Sequence, residues 1–140
     1  MAAFRGKDGT TVLVRNHELR PGEGPPVYGK NPYDKHSAGG TTALIVGPDR
    51  RVLREYVTSS GTTNNCAGGA TPWGTWITCE EDRNTDHGYC FEVMPDTGKY
   101  TVPDPDSGDG LFFSRGRRCG SDHRYSLPDR RRFPRDHRSQ

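Results

Sequence analysis

The residues best suited to chemistry lie between Ser60 and Glu81. Cys66 offers a thiolate, the Asn65-Cys66 peptide a carbonyl oxygen, and Glu80-Glu81 two adjacent carboxylates at the end of the strand-like run Thr75-Trp76-Ile77-Thr78-Cys79. Glycines at 61, 68, 69 and 74 let backbone approach a ligand or metal closely. A thiolate beside a carboxylate suits a transition metal, whereas carboxylates alone prefer a hard cation such as calcium. Neighbours on a strand point to opposite faces, so only one of Glu80 and Glu81 can share a site with Cys66 unless the strand ends there. The plainer alternatives are a small core cysteine and a solvated strand end. The spacing of Cys66 and Cys79 fits no zinc motif, and Cys90 reads as ordinary core. Thr75 and Thr78 have no adjacent base to activate them.

These residues must be held by strands. Thr11–Val14 is a β-branched run preceded by the turn pair Asp8-Gly9. Residues 20–40 are rich in Gly, Pro and Asn and read as a long surface loop. Thr41–Val46 and Arg51–Thr58 flank Gly47-Pro48-Asp49, a hairpin signal. Asn64–Pro72 reads as a Gly-rich turn region. Tyr89–Val93 and Lys99–Val102 flank Pro95-Asp96-Thr97-Gly98, a second hairpin. No segment carries an apolar i, i+3, i+4 pattern of helical length. The expected class is all-β, in antiparallel hairpins that suit a propeller or a sandwich. About 110 patterned residues supply two or three blades at ~40–45 residues each, too few to close a ring. The chain therefore reads as a piece of a larger protein, a partial β-propeller.

Composition agrees. Of 140 residues 29% are hydrophobic, with 18 Gly and 11 Pro, an apolar content below that of an ordinary globular chain. A large independent core is not expected. No apolar run approaches the ~20 residues of a membrane helix, and the first twenty residues lack a signal-peptide apolar region. Four cysteines at irregular spacing do not suggest a disulfide scaffold. The net charge of +2 conceals a break: residues 115–140 hold nine Arg, no Lys and three Asp, a net of +6, which leaves −4 for residues 1–114.

The run Asn65-Cys66-Ala67-Gly68-Gly69, then Thr71-Pro72-Trp73-Gly74-Thr75-Trp76 and Thr78-Cys79-Glu80-Glu81, strongly resembles the PhoX-type bacterial alkaline phosphatases. Met1-Ala2-Ala3-Phe4 leading into Leu13-Val14-Arg15-Asn16-His17-Glu18, then Gly40-Thr41-Thr42, then His87-Gly88-Tyr89 with Phe91-Glu92-Val93, match in the family's order. The resemblance runs from Met1 to about Gly110. It implies a fragment of a β-propeller metallophosphatase that hydrolyses organic phosphate esters with iron and calcium, monomeric and exported by the twin-arginine route. It carries Cys66 over as an iron ligand, and Glu80, Glu81, Asn16, His17 and Glu18 as candidate metal-site residues. A turn following a strand is the plain alternative for Asn16-His17-Glu18. Without an export signal in its first residues, the chain itself is expected in the cytoplasm if expressed.

The resemblance also implies that a His-Glu-Ala motif, an Asp-Pro-x-Thr-Gly turn and a Tyr-Leu-Thr-Glu-Asp strand should follow the second hairpin. None is present. With the reading frame moved one nucleotide forward, Ser114-Arg115-Gly116 can encode His-Glu-Ala, Gly120-Ser121 Asp-Pro, and His123-Arg124 Thr-Gly. The run Ser126 to Arg131 can encode Val-Tyr-Leu-Thr-Glu-Asp. All fall in one frame, in order. Residues 1–114 are thus expected to be a PhoX-like fragment and residues 115–140 out-of-frame translation, entered near Leu111–Ser114. Cys119, His123 and His137 would then carry no chemistry. A solvated basic tail is the plain alternative. A nucleic-acid arm is disfavoured, since only Tyr125 and Phe133 interleave aromatic surface and no nucleic-acid fold precedes it.

The expectation for this chain is therefore an inactive fragment of a metal-dependent alkaline phosphatase with a phosphate ester substrate. The rival is a non-catalytic calcium- or carbohydrate-binding β-propeller module. It would use the acidic stretches Asp82–Asp86 and Asp104–Asp109 but has no use for Cys66.

Overall fold

Hairpin chemistry organises the first half of the chain. In the computed structural model, which describes residues 1–82, 86–97 and the backbone of 99–100, β1 (Ala2–Arg5) turns into β2 (Thr11–His17). Asp8 and Gly9 both take positive φ, 51° and 74°, and the Thr10 N–H donates to Lys7 O at 2.9 Å. This is the type I′ turn whose twist matches the flanking strands. β3 (Gly39–Val46) and β4 (Val52–Thr62) are joined through residues 47–51, with Arg50 at φ 66° in the turn and Asp49 Oδ1 accepting the Arg51 N–H at 3.1 Å. Thr63 and Asn64 alone then link β4 to β5 (Asn65–Ala70). β6 (Trp76–Glu80), β7 (Cys90–Met94) and β8 (Lys99–Tyr100) complete the order.

The strands form two four-stranded antiparallel meanders, β1-β2-β3-β4 and β5-β6-β7-β8. The all-β expectation holds. There is no helix among the described residues, and so none long and apolar enough to cross a membrane. Nor do the described strands close into a barrel or a ring of blades.

Val12, Val14 and Ala43 of the first sheet meet Trp76 and Val93 of the second in a small core, with Phe4, Ile45 and Tyr56 against it. The Tyr56 hydroxyl donates across the sheets to Pro95 O. Much of the remaining interior is polar. Thr41, Thr58, Ser59, Thr62, Asn65 and Thr78 are all buried, and they satisfy one another: Thr41 Oγ1 bonds Thr58 Oγ1 at 2.7 Å and Ser59 Oγ at 2.8 Å. Internal hydrogen bonds let these six residues be buried without an unpaired-group penalty; the Thr63 hydroxyl, also buried, is the unpaired one among the described residues.

The long loop between β2 and β3 is anchored by Tyr33. Its N–H donates to Ser60 O at 2.9 Å, its ring edge packs on Phe91 with centroids 5.2 Å apart, and its hydroxyl donates to Asp86 O at 3.0 Å. Burial, reinforced by the charge of its neighbours, pushes the phenol pKa up to about 12.

Ala2–Arg5, which carries no strand pattern of its own, is a strand because β2 pairs with it. Two expectations need correction. Asn64–Pro72 is not a turn region: residues 65–70 form β5, paired with β6. Glycine serves there because the Trp76 indole lies on the backbone, and a Cβ at Gly68 would sit 2.5 Å from the ring. Cys79 and Cys90 form a disulfide with Cα atoms 4.1 Å apart, being direct partners across β6 and β7. Their spacing along the chain reveals nothing of that register. Residues 101–102 of the second hairpin, the Asp104–Asp109 stretch, Asp82–Asp86 in part and the tail 115–140 lie outside the described residues.

Candidate metal centre

Three strand ends converge beside the two-residue link between the sheets. Along β2, Val12, Val14 and Asn16 lie on one face by strand alternation, towards the second sheet. Glu18, one residue past the strand end, continues that face and is exposed. His17 lies on the other face, where its Nε2 is 2.9 Å from Thr42 Oγ1. Burial, with the Arg15 guanidinium adding to it, holds its imidazole below the ordinary histidine value.

Cys66 owes its orientation to a β-bulge. Asn65 pairs with Glu80 and Gly68 with Thr78, so Cys66 and Ala67 together oppose Cys79 alone. A bulge of this kind leaves backbone groups outside the ladder and re-aims a side chain. Asn16 takes up the freed carbonyls, its Nδ2 donating to Ala67 O at 3.2 Å and Cys66 O at 3.4 Å. Its Oδ1 accepts the Trp76 indole N–H at 2.9 Å. The Cys66 thiol is left exposed.

The two carboxylates at the end of β6 have separate fates. Glu80 is 3% exposed. Its Oε1 accepts the Thr63 N–H at 3.0 Å and its Oε2 accepts the N–H groups of Gly88, at 2.7 Å, and Tyr89, at 3.1 Å. His87 Nδ1 lies 3.0 Å from Oε1. On its other side, His87 Nε2 is 3.4 Å from Asp34 Oδ2 and 3.2 Å from Ser37 Oγ. Burial by itself would lower the His87 pKa; the hydrogen bond and charge of Glu80, then those of Asp34, outweigh it and raise the pKa above the ordinary value. Asp34 in turn is held below the usual carboxylate range, first by the His36 N–H and then, against partial burial, by Ser37 and His87.

Glu81, past the strand end, is exposed. One ligand atom each from Glu18, Cys66 and Glu81 lies within 4.8 Å of the others. One thiolate and two carboxylates form a mixed soft and hard donor set, which fits a first-row transition metal better than calcium alone. Of the six residues expected at a metal site, the fold brings these three together. His17 faces away, Glu80 is enclosed by backbone N–H groups, and Asn16 lies beside the cluster, where its amide braces the bulge at Cys66. Trp76, part of the family-like motif, and Asn64 support the site through Asn16 and the Glu81 main chain; sequence reasoning gave neither a site role.

Neither the curated proteins nor the solved structures compared with the chain gave a match. The family model described as alkaline phosphatase PhoX matches residues 1–112. With that match spanning most of its 140 residues, the chain belongs to the PhoX alkaline phosphatase family.

Proposed function

We propose that residues 1–112 supply part of the metal centre of an alkaline phosphatase acting on phosphate esters, with Glu18, Cys66 and Glu81 as the metal ligands. The observation that carries this reading is the convergence of those three side chains from three strand ends to within 4.8 Å. Family membership supports the phosphatase chemistry. Iron is the proposed metal at the thiolate, with calcium held by carboxylates. A cation there supplies positive charge to the phosphate oxygens as ester cleavage proceeds. The chain's own part is positional: the bulge presents the thiol, the ends of β2 and β6 present the carboxylates, and the Glu80 network keeps the end of β6 rigid. The proposed context is a β-propeller, of which the two four-stranded sheets would be neighbouring blades.

The donors are exposed, and among the described residues no further Cys, His, Asp or Glu joins them. We therefore propose that the 140-residue chain binds metal but hydrolyses esters poorly. The test is metal content and p-nitrophenyl phosphate hydrolysis of the chain loaded with iron(II) and calcium, beside Cys66→Ala. Iron bound by the parent chain and lost in the variant supports the reading. Sustained turnover overturns the proposed inactivity. Calcium binding indifferent to Cys66, with no iron and no hydrolysis, favours the non-catalytic module instead.

Two further parts of the proposal rest on separate observations. The Cys79–Cys90 disulfide supports an oxidising compartment, as export would provide. The family match stops at residue 112, inside the 111–114 window proposed for a shifted reading frame. Sequencing the DNA from the codon for Pro105 onward tests this. A forward-shifted frame that reads His-Glu-Ala and stays open supports it, and a closed or unrelated frame makes the Arg-rich tail genuine.

A further inference from the structure

We propose that Asn64 is the positioning residue that assembles Glu18, Cys66 and Glu81, a role that rests on the metal-centre reading above. Asn64 is 5% exposed and sits in the two-residue link between the sheets, so any drift there separates strand ends belonging to different sheets. Its N–H donates to Leu19 O at 2.9 Å, fixing the residue next to Glu18. Its carbonyl accepts the Glu81 N–H at 3.0 Å, and its Nδ2 donates to Glu81 O at 2.9 Å. The last two bonds form a two-point clamp on the main chain of Glu81. Cys66 lies two residues further along.

The residue type follows from the geometry. Asn64 has φ 49°, in the left-handed region that Asn and Gly tolerate and β-branched residues resist. Glycine would keep that conformation and both main-chain bonds but lose the amide donor. Valine would lose the donor and oppose the conformation. Only a residue that accepts positive φ and carries a side-chain N–H makes all three bonds.

The experiment uses the full chain as parent, Asn64→Gly and Asn64→Val, with the core variant Val12→Ala as a control for general destabilisation. The first readout needs no metal. Two carboxylates held near a thiol repel anionic iodoacetate more than neutral iodoacetamide, so the ratio of the two alkylation rates at Cys66, read on its own peptide by mass spectrometry, reports their proximity. We expect that ratio to rise about threefold in Asn64→Gly and up to about tenfold in Asn64→Val at low salt, and to stay at the parent value in Val12→Ala. The second readout is cobalt(II) titration followed by thiolate-to-cobalt charge-transfer absorption, with affinity falling about tenfold or more in the Asn64 variants.

A ratio unchanged in Asn64→Gly, or moved equally by Val12→Ala, overturns the positioning role. Should Asn64→Val fail to fold, Asn64→Gly decides alone. A parent chain without a cobalt–thiolate band, but with the expected alkylation pattern, removes the metal-centre reading and leaves the role of Asn64 standing. Equal cobalt affinity in parent and Asn64→Gly, with an unchanged ratio, does the reverse.

Discussion

The Trp76 indole donates to Asn16 Oδ1 at 2.9 Å, joining the end of β2 to the start of β6. The same Asn16 amide donates through its nitrogen to the carbonyls at the Cys66 bulge. One side chain thus ties the hydrophobic core to the candidate metal ligand. Asn16→Asp keeps the acceptor for Trp76 and loses the donor to the bulge. It should fold while binding cobalt(II) about tenfold more weakly, as the charge-transfer titration would show; an unchanged affinity would separate Asn16 from the site.

Cys66 is exposed and packs no core. Cys66→Ser should leave stability within about 0.5 kcal/mol of the parent in urea denaturation. The charge-transfer band on cobalt(II) should vanish.

Glu80 is expected to behave as a structural carboxylate. Glu80→Ala strips the acceptor from Thr63, Gly88, Tyr89 and His87 at once, and should cost about 3–5 kcal/mol by denaturant titration. A loss of metal without a comparable loss of stability would return Glu80 to the ligand set.

The two partly buried histidines, His17 and His87, predict opposite pH responses. The folded-state pKa of His87 is raised, so its contribution is complete below pH 6.5 and is lost as pH climbs through the raised value. That of His17 is lowered, so its contribution is present above pH 6.5 and is lost as pH falls through the lowered value. Melting temperatures across pH 5 to about 9 should show His87→Gln flattening the alkaline decline and His17→Gln flattening the acid one. A decline on the alkaline side that survives His87→Gln would exclude His87 as its source.

The disulfide between Cys79 and Cys90 closes a separation of 11 residues and should contribute about 2–4 kcal/mol. Reduction with a phosphine should lower the urea midpoint accordingly. Alkylation of the unreduced protein should spare both residues while labelling Cys66.

The strand class and the hairpins were legible in local sequence because their signals are local. Asp8-Gly9 can take the paired positive φ of a type I′ turn, and the β-branched runs on either side of Gly47-Pro48-Asp49 declare strands whatever lies around them. The family, too, could be recognised from the run between Asn65 and Glu81. That run named the candidate ligands by type, but alternation along a strand could say only that Glu80 and Glu81 part company, not which of them meets Cys66.

Tertiary structure decided the rest. Glu81 joins Cys66 because β6 ends at Glu80 and the Glu80 carboxylate is taken by N–H groups from two other segments. His17 leaves the cluster because it faces the far side of its sheet, and the Asn16 amide is engaged by a bulge that exists only once β5 pairs with β6. Residues 65–70 became a strand, and Cys79 met Cys90, through pairing register, which is a relation between distant segments. Chemistry could be read from residue type, but proximity depended on which strands lie side by side.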